Sequence, residues 1–286
     1  MMGQSGPMRR NDIRLGRATP DWRWLALGVA ISCLAVRAAR ADGPVIGWGN
    51  DTHGEATPPP SVDGTAGTAS AIAAGVLHGC AIQAGTGAVV CWGWNSSGQA
   101  TPPASVNGAA GTASAIAAGY GHSCAIQAGI GAVVCWGSNG SGEATPPASV
   151  NGSAGTASAI AAGAEHSCAI QAGTGAVVCW GAGDYGQATP PASVDGTAGT
   201  ASAIAAGGYH SCAIQVGTGA VVCWGRDSEA TPPASVDGTA GTARAIAAGY
   251  GQSLAIREAP EPAAPALYAV AAVTIATLAR RRRAAG

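Results

Sequence analysis

Residues 117–137 read AAGYGHSCAIQAGIGAVVCWG, and close copies of this stretch recur along most of the 286-residue chain. The repeats keep a Trp-Gly pair whose tryptophans are 44 residues apart, at Trp48, Trp92, Trp136, Trp180 and Trp224. A period of about 40 to 50 residues with strand-like content is typical of propellers and solenoids. The repeat therefore predicts an all-β fold.

Each repeat contains three short apolar segments that fit β-strands. In the quoted copy these are residues 115–118, 122–127 and 132–136. Gly129 begins a tight turn between the last two, since glycine readily adopts the positive φ of short hairpins. A hairpin centred there places Cys124 opposite Cys135 and Ser123 opposite Trp136. Both faces of this sheet are largely apolar, so each sheet needs a neighbour on either side, as in a propeller.

The two ends of the repeat array are incomplete in complementary ways. Residues 45–48 supply only the third strand of a unit, whereas residues 246–256 supply only the first two. Together they make one blade, and a blade split between the two ends of a chain can close a ring. We therefore expect residues 42–256 to form a β-propeller of about five blades, closed by this split blade.

The cysteines of the repeats fall into pairs. The partners are 11 residues apart across one hairpin, as Cys80/Cys91, Cys124/Cys135, Cys168/Cys179 and Cys212/Cys223. An even number of cysteines in an exported chain predicts disulfides. The split blade has Leu254 and Gly47 at these positions, so both thiols are missing together. Zinc bound by a histidine and two cysteines is the alternative, but each hairpin offers only three ligands. We predict no metal and no other cofactor.

Residues 1–41 have the features of an export signal. Arginines precede an apolar run at residues 24–36, and a small-x-small cleavage pattern ends at Ala41. We expect signal peptidase to cleave there, so that the mature chain begins at Asp42.

The charge of the repeat region argues against a nucleic-acid partner. Residues 42–256 contain eleven acidic residues and two arginines, which gives a net charge of −9. Binding to nucleic acid depends on Lys and Arg side chains that neutralise phosphates, and this chain has no lysine. We therefore expect no nucleic-acid partner.

The repeated string runs Ala-Ile-Ala-Ala-Gly-x-x-His-Ser-Cys-Ala-Ile, then Gly-Thr-Gly-Ala-Val-Val-Cys-Trp-Gly, then a polar loop with Gly-Gln, as at Gly98-Gln99. This pattern resembles the regulator of chromosome condensation (RCC) repeat in its bacterial, exported form. The resemblance covers about residues 42–256 and implies a β-propeller. Family members usually have seven blades, so five would depart from the family. An acidic, exported chain is not expected to share the founding member's nucleotide exchange or chromatin binding.

The C-terminal segment has a resemblance of its own. Pro260, Glu261 and Pro262 precede an apolar run at residues 263–279 and a basic cluster of Arg280, Arg281, Arg282 and Arg283. This resembles the PEP-type sorting signal, which implies transient inner-membrane insertion and release by a sorting protease to the cell surface or matrix. A single-pass anchor is the alternative, because basic residues after an apolar run fit the positive-inside rule.

The termini would then flank the propeller with one apolar helix each. A signal helix lies within residues 1–41, residues 257–262 form a linker with the PEP motif, and residues 263–286 form a hydrophobic helix with the arginine cluster. The chain would be exported and would reach the cell surface or the extracellular space.

The loops at one end of the predicted blades differ between repeats. The loop after Ala-Ala-Gly and the loop after Trp-Gly should open on the same face. Their variable residues include Leu77, Trp94, Asn95, Tyr120, Asn139, Glu165, Asp184, Tyr185, Tyr209, Arg226 and Tyr250. Aromatic side chains among polar ones on a rigid frame are typical of recognition surfaces. We expect a non-enzymatic binding or scaffold module for an unknown protein or glycan; drift in exposed loops is the other interpretation.

No group of residues predicts a catalytic site. His78, His122, His166 and His210 recur with the scaffold, and Gln252 takes the fifth position, which fits a hydrogen-bonding role. No Ser-His-Asp or paired-carboxylate arrangement is unique to one place in the chain. A secreted hydrolase or lyase remains the alternative, and a ring of unique polar residues at one mouth of the channel would distinguish it.

Overall fold

A computed structural model describes residues 42–226 and 228–259 of the chain. These residues form fourteen strands in four three-stranded sheets and one two-stranded sheet, with no α-helix among them. Within the same residues there is no helix long and apolar enough to cross a membrane. The predicted all-β architecture is confirmed.

The four complete sheets have the same antiparallel order, with the second strand in the centre. The strands are β1 (Ala69–Ala74), β2 (His78–Gln83), β3 (Val89–Gly93), β4 (Ala113–Ala118), β5 (His122–Gln127), β6 (Val133–Gly137), β7 (Ala157–Ala162), β8 (His166–Gln171), β9 (Val177–Gly181), β10 (Ala201–Ala206), β11 (His210–Gln215), β12 (Val221–Gly225), β13 (Ala243–Ala248) and β14 (Ser253–Arg257). We number the sheets one to five in chain order; the fifth contains only β13 and β14.

The predicted hairpin register is confirmed. Cys124 pairs with Cys135 and Ser123 with Trp136 across β5 and β6. The first strand is longer than predicted, because β4 begins at Ala113 and passes an irregularity in register before Ala115.

All four predicted disulfides are present, each joining two neighbouring strands of one sheet. They connect Cys80 to Cys91, Cys124 to Cys135, Cys168 to Cys179 and Cys212 to Cys223. The first cysteine of each pair is buried, so the bridges lie inside the stack of sheets rather than at its surface.

Neighbouring sheets pack face to face, as their two apolar faces predict. Cys80, Ile82 and Val89 on one face of the first sheet form a cluster with Ala125 and Trp136 on the facing side of the second. The equivalent residues form the clusters at the next two interfaces. The hydrophobic core is therefore divided among the interfaces between sheets.

A buried hydrogen bond also joins each sheet to the next. His78 Nε2 lies 2.8 Å from Ser123 Oγ, and that hydroxyl donates to the carbonyl oxygen of Gln99 at 3.0 Å. The histidine must therefore be the donor, which places its proton on Nε2. The pair recurs at the three later interfaces, at 2.9, 2.8 and 2.7 Å, as His122/Ser167, His166/Ser211 and His210/Ser253.

Glycine is required where the backbones of neighbouring sheets approach most closely. The N–H of Tyr120 donates to the carbonyl oxygen of Gly163 at 3.3 Å. A Cβ atom added at Gly119 would collide with that oxygen, and one at Gly163 would meet the carbonyl oxygen of Gly207 at 2.5 Å. The invariant glycine of each Ala-Ala-Gly corner is thus explained by contact between sheets.

The predicted split blade is not formed in this structure. Residues 45–48 form no strand, and β14 pairs only with β13. The N–H of Val45 donates to the carbonyl oxygen of Val62 at 2.9 Å, the bond that Val89 of β3 makes with Val106. This bond holds the segment beside the first sheet. Four similar histidine-to-serine contacts join the five sheets in a row, and no strand pairing joins the described parts of the first and fifth sheets.

The predictions for the two termini fall outside the described residues. These are the export signal at residues 1–41 and the sorting signal and its helix at residues 260–286. Of the predicted linker, residues 257–259 are described, and Arg257 is the last residue of β14. The repeat region therefore extends one residue past the predicted boundary at residue 256.

Candidate functional site

The two variable loops of each repeat adjoin one another, as predicted. The N–H of Trp94, after β3, donates to the carbonyl oxygen of Leu77, before β2, at 2.8 Å. Equivalent bonds connect Ser138 to Gly121, Ala182 to Glu165 and Arg226 to Tyr209. The variable side chains are thereby placed at one end of the sheets.

Three tyrosines from different repeats meet at this end. Tyr185 and Tyr209 pack edge to face with ring centroids 5.2 Å apart, and Tyr209 and Tyr250 do so at 5.5 Å. The hydroxyl of Tyr250 donates to the hydroxyl oxygen of Tyr209 at 2.9 Å, and this bond raises the pKa of Tyr209. Edge-to-face packing is the favoured arrangement of aromatic rings, so the three side chains hold one another in place.

Arg226 completes what we call the tyrosine cluster, which consists of Tyr185, Tyr209, Tyr250 and Arg226. Its guanidinium carbon lies 4.5 Å from the ring centroid of Tyr185 and 4.1 Å from that of Tyr209. The guanidinium also bonds to Glu229 at 3.4 Å. A hydrogen bond with Tyr185 raises the pKa of Arg226, so the positive charge is retained over the rings.

The cluster presents aromatic surface to solvent. Tyr185 is 48% exposed and Tyr250 is 56% exposed, whereas Tyr209 is half-buried between them. The neighbouring carboxylates of Glu165 and Asp184 are also exposed. The surface therefore combines aromatic faces, phenol hydroxyls and charges of both signs.

Two other predicted binding residues shape their own loops. The Asn95 side chain accepts the N–H of Ala100 at 2.8 Å and donates to Thr101 at 2.9 Å. Asn139 makes the same two bonds, with Ala144 and Thr145. Their amide groups are therefore engaged within the loops.

The remaining aromatic residues of this surface lie apart from the tyrosine cluster. Trp94 is half-buried and packs edge-on against His53, with ring centroids 4.2 Å apart. Tyr120 is exposed and lines a central cavity between the sheets. Leu77 contributes its carbonyl oxygen to the loop contact described above.

The central cavity has a volume of about 150 Å³ and is lined by the Ala-Ala-Gly corners of all five sheets. The other lining residues are Val76, Tyr120, Ala164, Gly208 and Tyr250. This described lining contains no carboxylate or imidazole, so the enzyme alternative gains no support from it. In the described residues there is also no group of three or more His, Cys, Asp or Glu side chains placed to hold a metal ion.

Sequence analysis noted Gln99 as part of the repeat motif but missed the structural role of the Gln or Glu that precedes each Ala-Thr-Pro stretch. The backbone carbonyl of Gln99 accepts both the indole N–H of Trp136, at 2.8 Å, and the hydroxyl of Ser123. Its side chain is buried and accepts the N–H of Ser97 at 2.9 Å. Recurrence of Gln or Glu at this position in every repeat was the available signal.

Comparison with protein families gives a match to two of the sheets. The family model described as Regulator of chromosome condensation (RCC1) repeat matches residues 113–143 and 157–187. Each matched segment begins with the first strand of a sheet and ends at the buried Glu143 or Gln187. These two sheets match the RCC1 repeat. The predicted resemblance is confirmed at this level, and the other complete sheets share the strand order and register of these two.

Solved structures are also similar to this chain. The ectodomain of the receptor kinase CR4 from Physcomitrella patens is 26% identical with a TM-score of 0.57, over 75% of this chain. The CRINKLY WD40 ectodomain of the receptor kinase ACR4 from Arabidopsis thaliana is 24% identical with a TM-score of 0.54, over 76% of this chain and 70% of its own length. Human WBSCR16 is 16% identical with a TM-score of 0.53, over 74% and 67% of the two chains.

These likenesses support a propeller-type arrangement of the sheets. The chain spans about half, 53%, of the length of the Physcomitrella ectodomain. No curated protein sequence matches the chain.

Proposed function

We propose that this chain is a non-enzymatic binding module that recognises a protein or glycan partner through the tyrosine cluster. The observation that carries the proposal is the placement of Arg226 over two tyrosine rings, beside two half-exposed tyrosines. Tyrosine and arginine are enriched among the residues that dominate binding energy at interfaces. They supply contact area with little loss of conformational freedom when they are already held in place.

The scaffold suits this role because it separates a constant frame from variable loops. The histidine-to-serine bonds, disulfides and tryptophans recur in the four complete sheets or the interfaces between them, whereas the tyrosine cluster draws on loops of the third, fourth and fifth sheets. The ectodomain similarity is consistent with a module that presents such loops to a partner.

We also propose that the module acts outside the cytoplasm. The four disulfides support an oxidising compartment. Residues 1–41 would direct export through signal peptidase, and residues 260–286 would insert transiently in the inner membrane until a sorting protease releases the chain. The expected destination is the cell surface or the extracellular matrix.

Substitution of the tyrosine cluster should weaken partner binding strongly. We expect the variant Tyr185→Ser, Tyr209→Ser and Arg226→Ser to lose at least about ten-fold in retention on the matrix fraction of the cells that produce the protein. The loss follows from removal of the aromatic faces and of the stacked positive charge. Retention of purified chain is measured on matrix before and after protease digestion, which separates a protein partner from a glycan.

The opposite end of the sheets offers a matched control. Ile130 and Val216 are exposed in the hairpin turns, and the variant Ile130→Thr with Val216→Ala gives both positions the residue found in other repeats. This control should bind like the wild type. Equal retention of the wild type and the cluster variant would contradict the proposal.

A further inference from the structure

The fifth sheet ends at an open edge. β14 has β13 on one side and no strand on the other among the described residues. All five residues of β14 are exposed, and Leu254 is 71% exposed. In each complete sheet the equivalent edge is paired with a third strand, so a specific strand is missing here.

A cavity beside this edge corresponds to the position of a tryptophan in the other sheets. At the preceding interface, Trp224 packs with Cys168 and Val177 and donates its indole N–H to the carbonyl oxygen of Gln187 at 2.9 Å. The cavity at the fifth sheet measures about 360 Å³, and its lining includes the equivalents of those three residues, Cys212, Val221 and Glu229. The site is thus built for an indole that the fifth sheet does not supply.

Residues 45–48 have the sequence of the missing strand. They read Val-Ile-Gly-Trp, against Val-Val-Cys-Trp at residues 133–136. Trp48 is 85% exposed and Ile46 is 74% exposed. The register of the complete sheets would place Ile46 opposite Ala255 and Trp48 opposite Ser253.

The loss of one cysteine pair supports pairing between these two segments. Leu254 and Gly47 stand where each complete sheet has its two bridged cysteines. A lone cysteine at either position would be a free thiol, so the two losses are consistent with strands that face each other.

We propose that residues 45–48 of a second copy of this chain complete the fifth sheet, with Trp48 in the cavity beside β14. In this structure the segment lies beside its own first sheet, where Val45 bonds to Val62, and it forms no strand with β14 of the same chain. Pairing with a second copy uses residues 45–48 in that position, whereas pairing within one chain requires them and β14 to move together.

The completed sheet would also cover the exposed face of the first sheet in the copy that provides residues 45–48. That face carries the exposed Ile72 beside a cavity of about 400 Å³, which is lined by Val45 and Trp92. Leu254 would pack there, as the buried cysteine of each preceding sheet packs against the next. The composite sheet would consist of β13 and β14 from one copy and residues 45–48 from the other. It would therefore pack between the fourth sheet of the first copy and the first sheet of the second.

The resulting contact is head to tail, since two different surfaces meet. Such contacts form rings if the rotation closes and filaments if it does not. The histidine-to-serine bond is absent from this contact, because Gln252 and Gly79 occupy the two positions. We therefore expect reversible association.

Cysteine cross-linking tests whether residues 45–48 pair with β14 and whether the two segments come from one chain or from two. The full chain carries Cys33→Ser, so that no other unpaired cysteine is present, and Ile46→Cys is combined with Ala255→Cys. Both side chains are exposed, so neither change disturbs packing. Directly opposed residues of an antiparallel pair lie within reach of a disulfide. A Gly47→Cys variant is less suitable, because its Cβ would collide with the carbonyl oxygen of Ala56.

We expect a mixture of the two single variants, Ile46→Cys and Ala255→Cys, to form a covalent dimer under mild oxidation. A control pair, Ile46→Cys with Ile256→Cys, is one residue out of register and should not cross-link. No dimer in the mixture would overturn the proposal. If the double variant then cross-linked only within single chains, the ring would close on itself.

Trp48→Ala should weaken the association of the otherwise wild-type chain at least about ten-fold, because the indole is the main group buried at the contact. Sedimentation over a range of chain concentrations measures this change, with Ile130→Thr as a control at the opposite end of the sheets. An unchanged association constant would contradict the role assigned to Trp48.

Discussion

Reduction of the four disulfides should lower the free energy of unfolding of the repeat region by about 10 kcal/mol, since each closes a short loop worth about 2–3 kcal/mol. Folded domains are typically stable by only about 5–15 kcal/mol, so the reduced chain should be largely unfolded at room temperature. The effect is large because the chain has no phenylalanine and its core consists mainly of small residues.

Urea denaturation with and without reductant measures this loss, with tryptophan fluorescence as the signal. The first cysteine of each pair is buried, so the reductant must be present throughout unfolding and refolding. The variant Cys124→Ala with Cys135→Ala removes one disulfide. Its free energy of unfolding should fall by about a quarter of the loss caused by reducing all four. Equal denaturation midpoints with and without reductant would show that packing alone maintains the fold.

Acidification between pH 6.5 and 4 should also destabilise the repeat region strongly. Burial lowers the pKa of His78, His122 and His166 from 6.5 to about 4. Each Nε2 proton is used in the bond to the next sheet, and each Nδ1 is buried with no hydrogen-bond partner in the described residues. A second proton would therefore add an unsatisfied charge between two sheets.

Acid lowers the stability of the fold because the pKa of these histidines is depressed. Below pH 6.5 the unfolded chain binds protons that the folded chain rejects, so stability falls as the pH falls, until the folded histidines also protonate near pH 4. A shift of this size corresponds to about 3 kcal/mol for each histidine. Hydrogen bonds from the threonine two residues later lower the pKa of Asp63, Asp195 and Asp237, so protonation of these carboxylates affects stability only below this pH range.

A triple variant, His78→Gln with His122→Gln and His166→Gln, isolates this effect. Glutamine stands at the same position in the fifth sheet, as Gln252, and it can donate a hydrogen bond without titrating in this range. Urea midpoints of the variant should fall less between pH 6.5 and 4 than those of the wild type; burial also lowers the pKa of His210, which the variant retains. Parallel pH curves for the two proteins would contradict this role of the histidines.

The features that could be predicted from the sequence are those that one repeat determines by itself. The hairpin centred on Gly129 sets the register, and the register alone places Cys124 opposite Cys135. Alternation along β5 then predicts which side chains face each neighbouring sheet, as the clusters around Trp136 confirm. These relations are local, and the repeats give several independent copies of the same evidence.

Only the tertiary structure decided how the repeats are arranged around one another. Their arrangement depends on contacts between sheets, such as the hydrogen bond from Tyr120 to Gly163, which joins two different repeats. The ends of the array are therefore complementary in sequence and yet unpaired in one chain. The sequence showed eleven variable loop residues, but it could not show which of them form one cluster. Tyr185, Tyr209, Tyr250 and Arg226 come from loops up to 65 positions apart, and only the stacking of the sheets brings these loops together.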